Sequence, residues 1–144
     1  MKKVILILLI AAGVFAAPKV QAQVDLTSVA YGNTKDTVTN TATKVLYAKV
    51  TGFKETVTII ASLTKISGTL GGTLKLVVSH NGTTWYDASG YSASDTAFTV
   101  TDVTAQGKAF QCKKGFQYYG VQWTGTGTMS GSFTAVLLAR KSTD

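Results

Sequence analysis

The chain has 144 residues, of which 14 are basic and 7 acidic, and it contains one histidine, one cysteine and one proline. Its formal net charge is +7, but without Lys2, Lys3 and Lys19 there remain 11 basic against 7 acidic residues, a net charge of +4. This mild charge without a basic cluster argues against nucleic-acid binding. The single cysteine excludes an internal disulfide.

The N-terminus has the pattern of a secretory signal peptide. Lys2 and Lys3 precede an apolar run at residues 4–17, and the small residues Val20 and Ala22 follow it. The pattern predicts cleavage after Ala22. An uncleaved membrane anchor is the alternative, but a membrane helix needs about 20 apolar residues. We therefore expect export to the periplasm, the cell surface or the medium, and membrane contact only through residues 1–22 before cleavage.

Two regions follow the predicted signal peptide. Residues 23–40, "QVDLTSVAYGNTKDTVTN", are polar and weakly patterned. They predict an N-terminal arm that is mobile or becomes ordered against a partner. Residues 41–144 are long enough for one domain.

The domain has the composition of an all-β fold. Threonine is abundant, and short runs alternate apolar with polar residues, as in "TVTIIASLT" and "TLKLVVSH". About eight strands are predicted, at residues 43–50, 56–64, 73–80, 84–87, 97–103, 108–112, 118–124 and 132–140. Short strands at this spacing favour an antiparallel, jelly-roll-like β-sandwich.

The stretch "SHNGTTWYD" raises the question of whether its tryptophan belongs to a binding site or to the core. Asn81-Gly82 between alternating segments is typical of a two-residue hairpin turn. Such a turn places Trp85 opposite Val78 on the buried face and leaves Tyr86 opposite Val77 on the outer face. The sequence therefore predicts that Trp85 lies in the core, with an exposed aromatic platform as the alternative.

Catalytic and metal-binding patterns are scarce. The segment after Ala22 has one histidine, His80, one glutamate, Glu55, and no paired spacing of metal ligands. A calcium site formed by Asp87, Asp95 and Asp102 lacks a loop motif. Cys112 fits a small core residue. We expect no enzyme activity, no catalytic residues, no metal and no cofactor.

Surface aromatic residues are the remaining candidates for function. Tyr86, Tyr91 and Tyr118, together with Gln122 and many threonine hydroxyls, can form a glycan-binding face or a protein interface. A solvated, threonine-rich face without a ligand is the alternative.

Three segments carry a resemblance to a known group of proteins. They are "TKISGTLGGTLKLVVSHNGTTWYDAS", "AFTVTD" and "YYGVQWTGTGTMSGSFTAVLLARK". Over residues 56–141 the chain resembles small β-sandwich structural proteins from the virions of tailed bacteriophages, particularly those of Bacteroidetes hosts. This resemblance implies a non-catalytic decoration or fibre element that associates with itself or with other virion proteins. A secreted module that binds surface glycans is the second hypothesis.

Overall fold

The computed structural model describes residues 22–25, 35–50, 56–88, 96–113 and 115–140. All regular elements in these residues are β-strands. Their bounds are β1 (Ala22–Asp25), β2 (Lys35–Thr39), β3 (Thr43–Lys49), β4 (Thr56–Gly68), β5 (Gly72–Ser79), β6 (Tyr86–Asp87), β7 (Ala97–Val100), β8 (Ala105–Lys113), β9 (Tyr118–Gly125) and β10 (Met129–Arg140). The eight predicted strands are all present, although β6 has only two residues, and β1 and β2 are additional.

The strands form two antiparallel sheets. The first has the order β1-β10-β4-β8, and β2 pairs with β10 beside β1. The second has the order β3-β9-β5-β6, and β7 also pairs with β5. From β2 to β5 and from β8 to β10, consecutive strands alternate between the sheets, as in a jelly roll. The predicted antiparallel β-sandwich is therefore confirmed.

The core lies between the two sheets because alternate residues of each strand point inwards. In β4, for example, Ile59 and Leu63 are buried while Ile60 is exposed. Cys112 is also buried in this core, as predicted. The largest fully buried side chains are Trp123, Tyr119, Phe110, Phe133, Leu46, Ile59, Leu63, Leu70, Leu74, Leu76 and Leu137.

Trp123 is the largest core residue, and its surroundings fit its shape closely. Its ring meets Phe133 edge-on, with ring centroids 5.6 Å apart and an interplanar angle of 87°. Its indole N–H donates to the carbonyl oxygen of Gly71 at 3.3 Å. Gly131 makes room for the ring, since a Cβ at this position would lie only 2.3 Å from Cη2 of Trp123. Trp123 is thus the tryptophan that anchors the core.

The predicted arm at residues 23–40 requires a correction. Residues 35–39 form β2 on β10, Val38 is fully buried, and β1 pairs with the other end of β10. Asn40 continues the pairing, because its amide donates to the carbonyl oxygen of Met129 at 2.8 Å. The sandwich therefore includes residues 35–40, which were predicted to belong to the N-terminal arm. Its polar composition concealed this strand, because Val38 is the only residue of β2 that is buried.

The predicted signal peptide, apart from Ala22, lies outside the described residues. Within those residues there is no helix with the length and hydrophobicity that a membrane crossing requires.

Candidate functional site

The connection between β5 and β6 is longer than the predicted two-residue turn. Val78 pairs with Tyr86 and Val77 with Asp87, so residues 80–85 form a six-residue loop. A type I′ turn needs positive φ at both central residues. Gly82 has φ 76°, but Asn81 is not among the residues with positive φ. The predicted Asn81-Gly82 hairpin turn is therefore wrong.

Hydrogen bonds from two side chains hold this 80–85 loop. Ser79 Oγ accepts from the backbone N–H of Asn81 at 3.2 Å and of Gly82 at 2.9 Å, and it donates to Asn81 Oδ1 at 3.1 Å. Asn81 Oδ1 also accepts from the N–H of Thr83 at 3.0 Å and of Thr84 at 2.9 Å. These side chains bond to the backbone of the next few residues, which favours a wider loop over a tight turn.

We call the side of the second sheet that points away from the core the outer face. It carries the odd-numbered residues of β3 and β5 and the even-numbered residues of β9, as the burial of their neighbours shows. Since Asp87 pairs with Val77 on this face, strand alternation also places Trp85 on this side and Tyr86 on the other.

Trp85 is half-buried on the outer face, and its prediction as a core residue is wrong. Its ring centroid lies 5.0 Å from that of Tyr47, with an interplanar angle of 50°. Tyr47 belongs to β3, whose neighbouring residues Leu46 and Ala48 face the core. A pairing shift of one residue exchanges the two faces of a strand, which explains the error.

Tyr118 is the third ring of this cluster. Its ring centroid lies 6.3 Å from that of Tyr47 in an edge-on arrangement. Lys49 Nζ lies 5.7 Å from the centre of the Tyr118 ring, within the range of a cation–π interaction. The loop backbone passes close to the same ring, since a Cβ on Gly82 would lie 3.0 Å from Tyr118 Cε1. We call Tyr47, Trp85 and Tyr118 the aromatic cluster.

The 80–85 loop and the aromatic cluster cover one end of the outer face. Tyr47 and Val77 both pair with Gly120, which has no side chain to fill the space above β9. Val77 is 2% exposed and Ser79 0% exposed, although both belong to the outer face. Because the core lies on the other side of the sheet, the groups above them must provide this cover.

Polar side chains occupy the rest of the outer face. Gln122 is half-buried and pairs with Val45 on one side and Lys75 on the other. Lys75 Nζ lies 3.4 Å from Asp87 Oδ2, forming an ion pair. At the next outer-face position of β9 after Gln122, four threonines are aligned across four strands: Thr43, Thr124, Thr73 and Thr99. The hydroxyl oxygens of Thr43 and Thr124 are 3.0 Å apart.

The predicted site residues divide into three groups. Tyr118 and Gln122 lie on the outer face, as a shared site requires, with Gly120 between them on β9. Tyr86 is 56% exposed but lies on the opposite side of its strand, so its prediction as an outer-face partner of Val77 is wrong. Tyr91 lies outside the described residues.

Sequence analysis did not single out Tyr47, and for Trp85 it favoured the core over the alternative of an exposed platform. In "KVLYAKV", Leu46 and Ala48 alternate with Tyr47, so Tyr47 points to the face opposite theirs. This alternation could have identified Tyr47 as an outer-face residue. Trp85 gave no such signal, because it follows an irregular loop rather than lying inside an alternating strand.

The surroundings of Asp102 and Cys112 shift the pKa values of their side chains. Asp102 accepts hydrogen bonds from Lys65 Nζ at 2.8 Å and from the N–H of Leu70 at 2.7 Å. The bond from Lys65, followed by that from Leu70, holds the pKa of Asp102 below its ordinary value. Burial raises the pKa of the Cys112 thiol to about 11. The thiol is therefore protonated at neutral pH.

The calcium alternative needs three carboxylates, of which the structure describes two. In the described parts of the chain, no group of three His, Cys, Asp or Glu residues could hold a metal ion. Asp87 and Asp102 are each paired with a lysine, and Asp95 lies outside those parts.

Comparison with known proteins gives structural similarity only. No family model matches the chain, and no curated protein matches it. A carbohydrate-binding module, CBM4, has 9% identity and a TM-score of 0.49 and covers 83% of this chain and 78% of that chain. The CBM22-1 xylan-binding domain of Paenibacillus barcinonensis Xyn10C has 15% identity and a TM-score of 0.47, covering 82% and 81%. The Yersinia pseudotuberculosis-derived mitogen has 9% identity and a TM-score of 0.45, covering 86% and 88%. At such identities the similarity is one of strand arrangement.

Proposed function

We propose that the protein is a non-catalytic module that binds a polysaccharide on the outer face of the second sheet. The observation that carries this proposal is the aromatic cluster, which gathers Tyr47, Trp85 and Tyr118 outside the core and next to polar side chains. Binding sites typically combine aromatic surface with a few placed polar groups. Tyrosine and tryptophan suit such sites because they have an apolar body and a polar tip.

The chemistry of a sugar matches the two parts of this face. The C–H groups of a pyranose ring can pack on the half-buried ring of Trp85. The sugar hydroxyls can exchange hydrogen bonds with the amide of Gln122 and with the Lys75–Asp87 ion pair. The aligned threonine hydroxyls extend the polar surface away from the rings. The outer residues of β9, from Tyr118 to Thr124, span about 20 Å, enough for a short stretch of a linear glycan.

The cluster has no evident task in the main core. Trp123, Tyr119 and Phe133 already fill the space between the sheets, and the aromatic cluster lies on the other side of β9. We further propose that the module acts outside the cytoplasm, on the strength of the charged start and apolar run that precede Ala22.

Binding can be tested by isothermal titration calorimetry of residues 23–144 against soluble xylan, β-glucan, mannan and polygalacturonate. Trp85→Ala should abolish binding to whichever polysaccharide the wild type recognises. Tyr86→Ala is the matched control, because Tyr86 adjoins Trp85 in sequence and lies on the opposite side of the strand. It should bind like the wild type. A wild type that binds none of a broad panel, or equal losses in both variants, would refute the proposal.

The virion-component hypothesis stays a prediction from the sequence resemblance. One part of its support was an N-terminal arm available to a partner subunit. In the described residues, the segments 23–25 and 35–39 of that arm pair with β10 of the same chain instead. Mass spectrometry of purified phage particles and light scattering of the isolated protein would test this hypothesis separately.

A further inference from the structure

The position of Trp85 depends on the 80–85 loop. β5 ends at Ser79, and the chain then passes the Tyr118 ring at Gly82 before it reaches Trp85. Trp85 itself precedes β6, so no strand pairing fixes its backbone. The conformation of the loop therefore decides whether its ring reaches Tyr47, on the far side of β9.

Two side chains account for the conformation of this loop. Ser79 is 0% exposed, and its hydroxyl makes three of the five hydrogen bonds described above. Asn81 joins both halves of the network, because its Oδ1 accepts from Ser79 and from the backbone of Thr83 and Thr84. Asn81 itself is exposed, so its side chain can be changed without opening the core.

We propose that Ser79 and Asn81 are positioning residues of the binding face, which hold Trp85 against Tyr47 before any ligand arrives. This inference rests on the proposed function for its effect on binding, but its structural part can be measured without a ligand. A pre-formed site binds more tightly because the ligand does not have to order the loop and the ring. Loss of the network should weaken binding without removing any group that touches the sugar.

A turn that merely stabilises the fold would behave differently. Its loss would lower the melting temperature and leave the folded site intact. A positioning role predicts that the folded protein keeps its core but loses the interaction between the rings of Trp85 and Tyr47. These rings are 5.0 Å apart, close enough to contribute a coupled signal to the near-ultraviolet circular dichroism spectrum.

The test uses Asn81→Ala, with Asn81→Asp as the conservative rescue and Thr83→Ala as the matched loop control. Asn81→Asp keeps an oxygen that can accept all three hydrogen bonds. Thr83→Ala keeps the backbone N–H that donates to Asn81. The difference between the near-ultraviolet circular dichroism spectra of the wild type and Trp85→Ala defines the signal of the Trp85–Tyr47 ring pair. Affinity for the polysaccharide is then measured in the wild type and the three loop variants.

We expect Asn81→Ala to lose most of the ring-pair signal in its folded state and to bind about tenfold more weakly. Asn81→Asp and Thr83→Ala should match the wild type in both readouts. Asn81→Ala with an unchanged spectrum, or Asn81→Asp as impaired as Asn81→Ala, would overturn the positioning role. If the wild type binds no polysaccharide, the proposed function fails, while the spectra still decide whether the loop positions Trp85.

Discussion

The two tryptophans of the chain lie on opposite faces of the same sheet. Trp123 is 0% exposed and packs edge-on against Phe133, whereas Trp85 is half-buried against Tyr47. In β9 the face of Trp123 is set by Tyr119 and Val121, which point the same way at alternate positions. The face of Trp85 is set by the length of a loop. The same residue type thus serves the core or the surface according to how its backbone is positioned.

Glycines make room for rings in both regions, with different consequences. A Cβ on Gly131 would overlap Trp123 and also lie 2.6 Å from Leu70 Cδ1, so the ring is enclosed. A Cβ on Gly82 would lie 3.0 Å from the ring of Tyr118, which is half-buried and can shift outwards. The core therefore resists changes of volume, whereas the outer face can adjust to them.

Truncation of Trp123 should have the largest effect on stability. Trp123→Ala removes a fully buried ring and the hydrogen bond to Gly71, and it leaves a cavity between the sheets. We expect a loss of about 3 to 5 kcal/mol in the free energy of unfolding. Urea denaturation would measure it, with Trp123→Phe as a milder control. Retention of wild-type stability in Trp123→Ala would contradict its assignment as the core anchor.

Gly131→Ala tests the same region from the other side. The added methyl group must displace Trp123 or Leu70, and overpacking of this kind typically costs about 1 to 3 kcal/mol. Gly71→Ala is a suitable control, because the only close approach of its methyl group is to the hydroxyl of Thr126 at 2.8 Å, which can rotate away, while the Thr126 carbonyl oxygen at 3.9 Å is an ordinary contact. Thermal unfolding should show a clear decrease for Gly131→Ala and little change for Gly71→Ala. Equal effects would mean that the Trp123 pocket is not tightly packed.

The core strands could be predicted from sequence because several residues within each strand report the same face. In β4, Val57, Ile59, Ala61 and Leu63 are all buried, as their alternation indicates. β2 could not be recognised in this way, because Val38 alone marks its inner side. Its pairing depends on the edge that β10 offers, which is a property of the assembled sheet.

The candidate site could be predicted only in part for a similar reason. Tyr118 and Gln122 lie inside β9, so their common face follows from alternation. The pair Asn81-Gly82 is compatible with a two-residue turn and with a loop held by the side chains of Ser79 and Asn81. A one-residue difference in the pairing that follows reverses the faces of Trp85 and Tyr86. Local sequence does not contain the tertiary contacts that decide between these pairings.

The buried thiol of Cys112 should make the stability of the fold depend on pH. Burial raises the pKa of its thiol in the folded protein to about 11, from an ordinary value of 9.0. The stabilising contribution of the protonated thiol is therefore complete below pH 9.0 and is lost as the pH rises to about 11. Between about pH 8 and pH 10.5, the wild type should lose about 1 to 2 kcal/mol more stability than Cys112→Ala.

Urea denaturation of both proteins across this pH range would measure the difference. Burial, the largest cause, also raises the pKa of Tyr119 in both proteins, so that part of its contribution cancels, whereas the smaller part due to the charge of Cys112 is lost in Cys112→Ala. Parallel stability curves for the two proteins would indicate that water reaches the thiol and that this part of the core is open.

Truncation of Trp85 should have the smallest effect on stability, in contrast to truncation of Trp123. Its ring is partly exposed to water in the folded state, so its removal forfeits only part of the burial energy. It also lies outside the space between the sheets, where truncation leaves no closed cavity. We expect Trp85→Ala to cost about 1 kcal/mol, well below the value for Trp123→Ala, and to remove the proposed binding activity.

The stability cost of Trp85→Ala depends on which groups cover Val77 and Ser79. Both are almost completely buried on the outer face, so removal of the Trp85 ring would expose them if that ring were their main cover. The 80–85 loop passes over the same end of the sheet and should remain in place through its own hydrogen bonds. Urea denaturation of Trp85→Ala and Tyr86→Ala would decide between these outcomes. A loss of about 3 to 5 kcal/mol in Trp85→Ala alone, as for a core tryptophan, would show that the aromatic cluster is a second hydrophobic core.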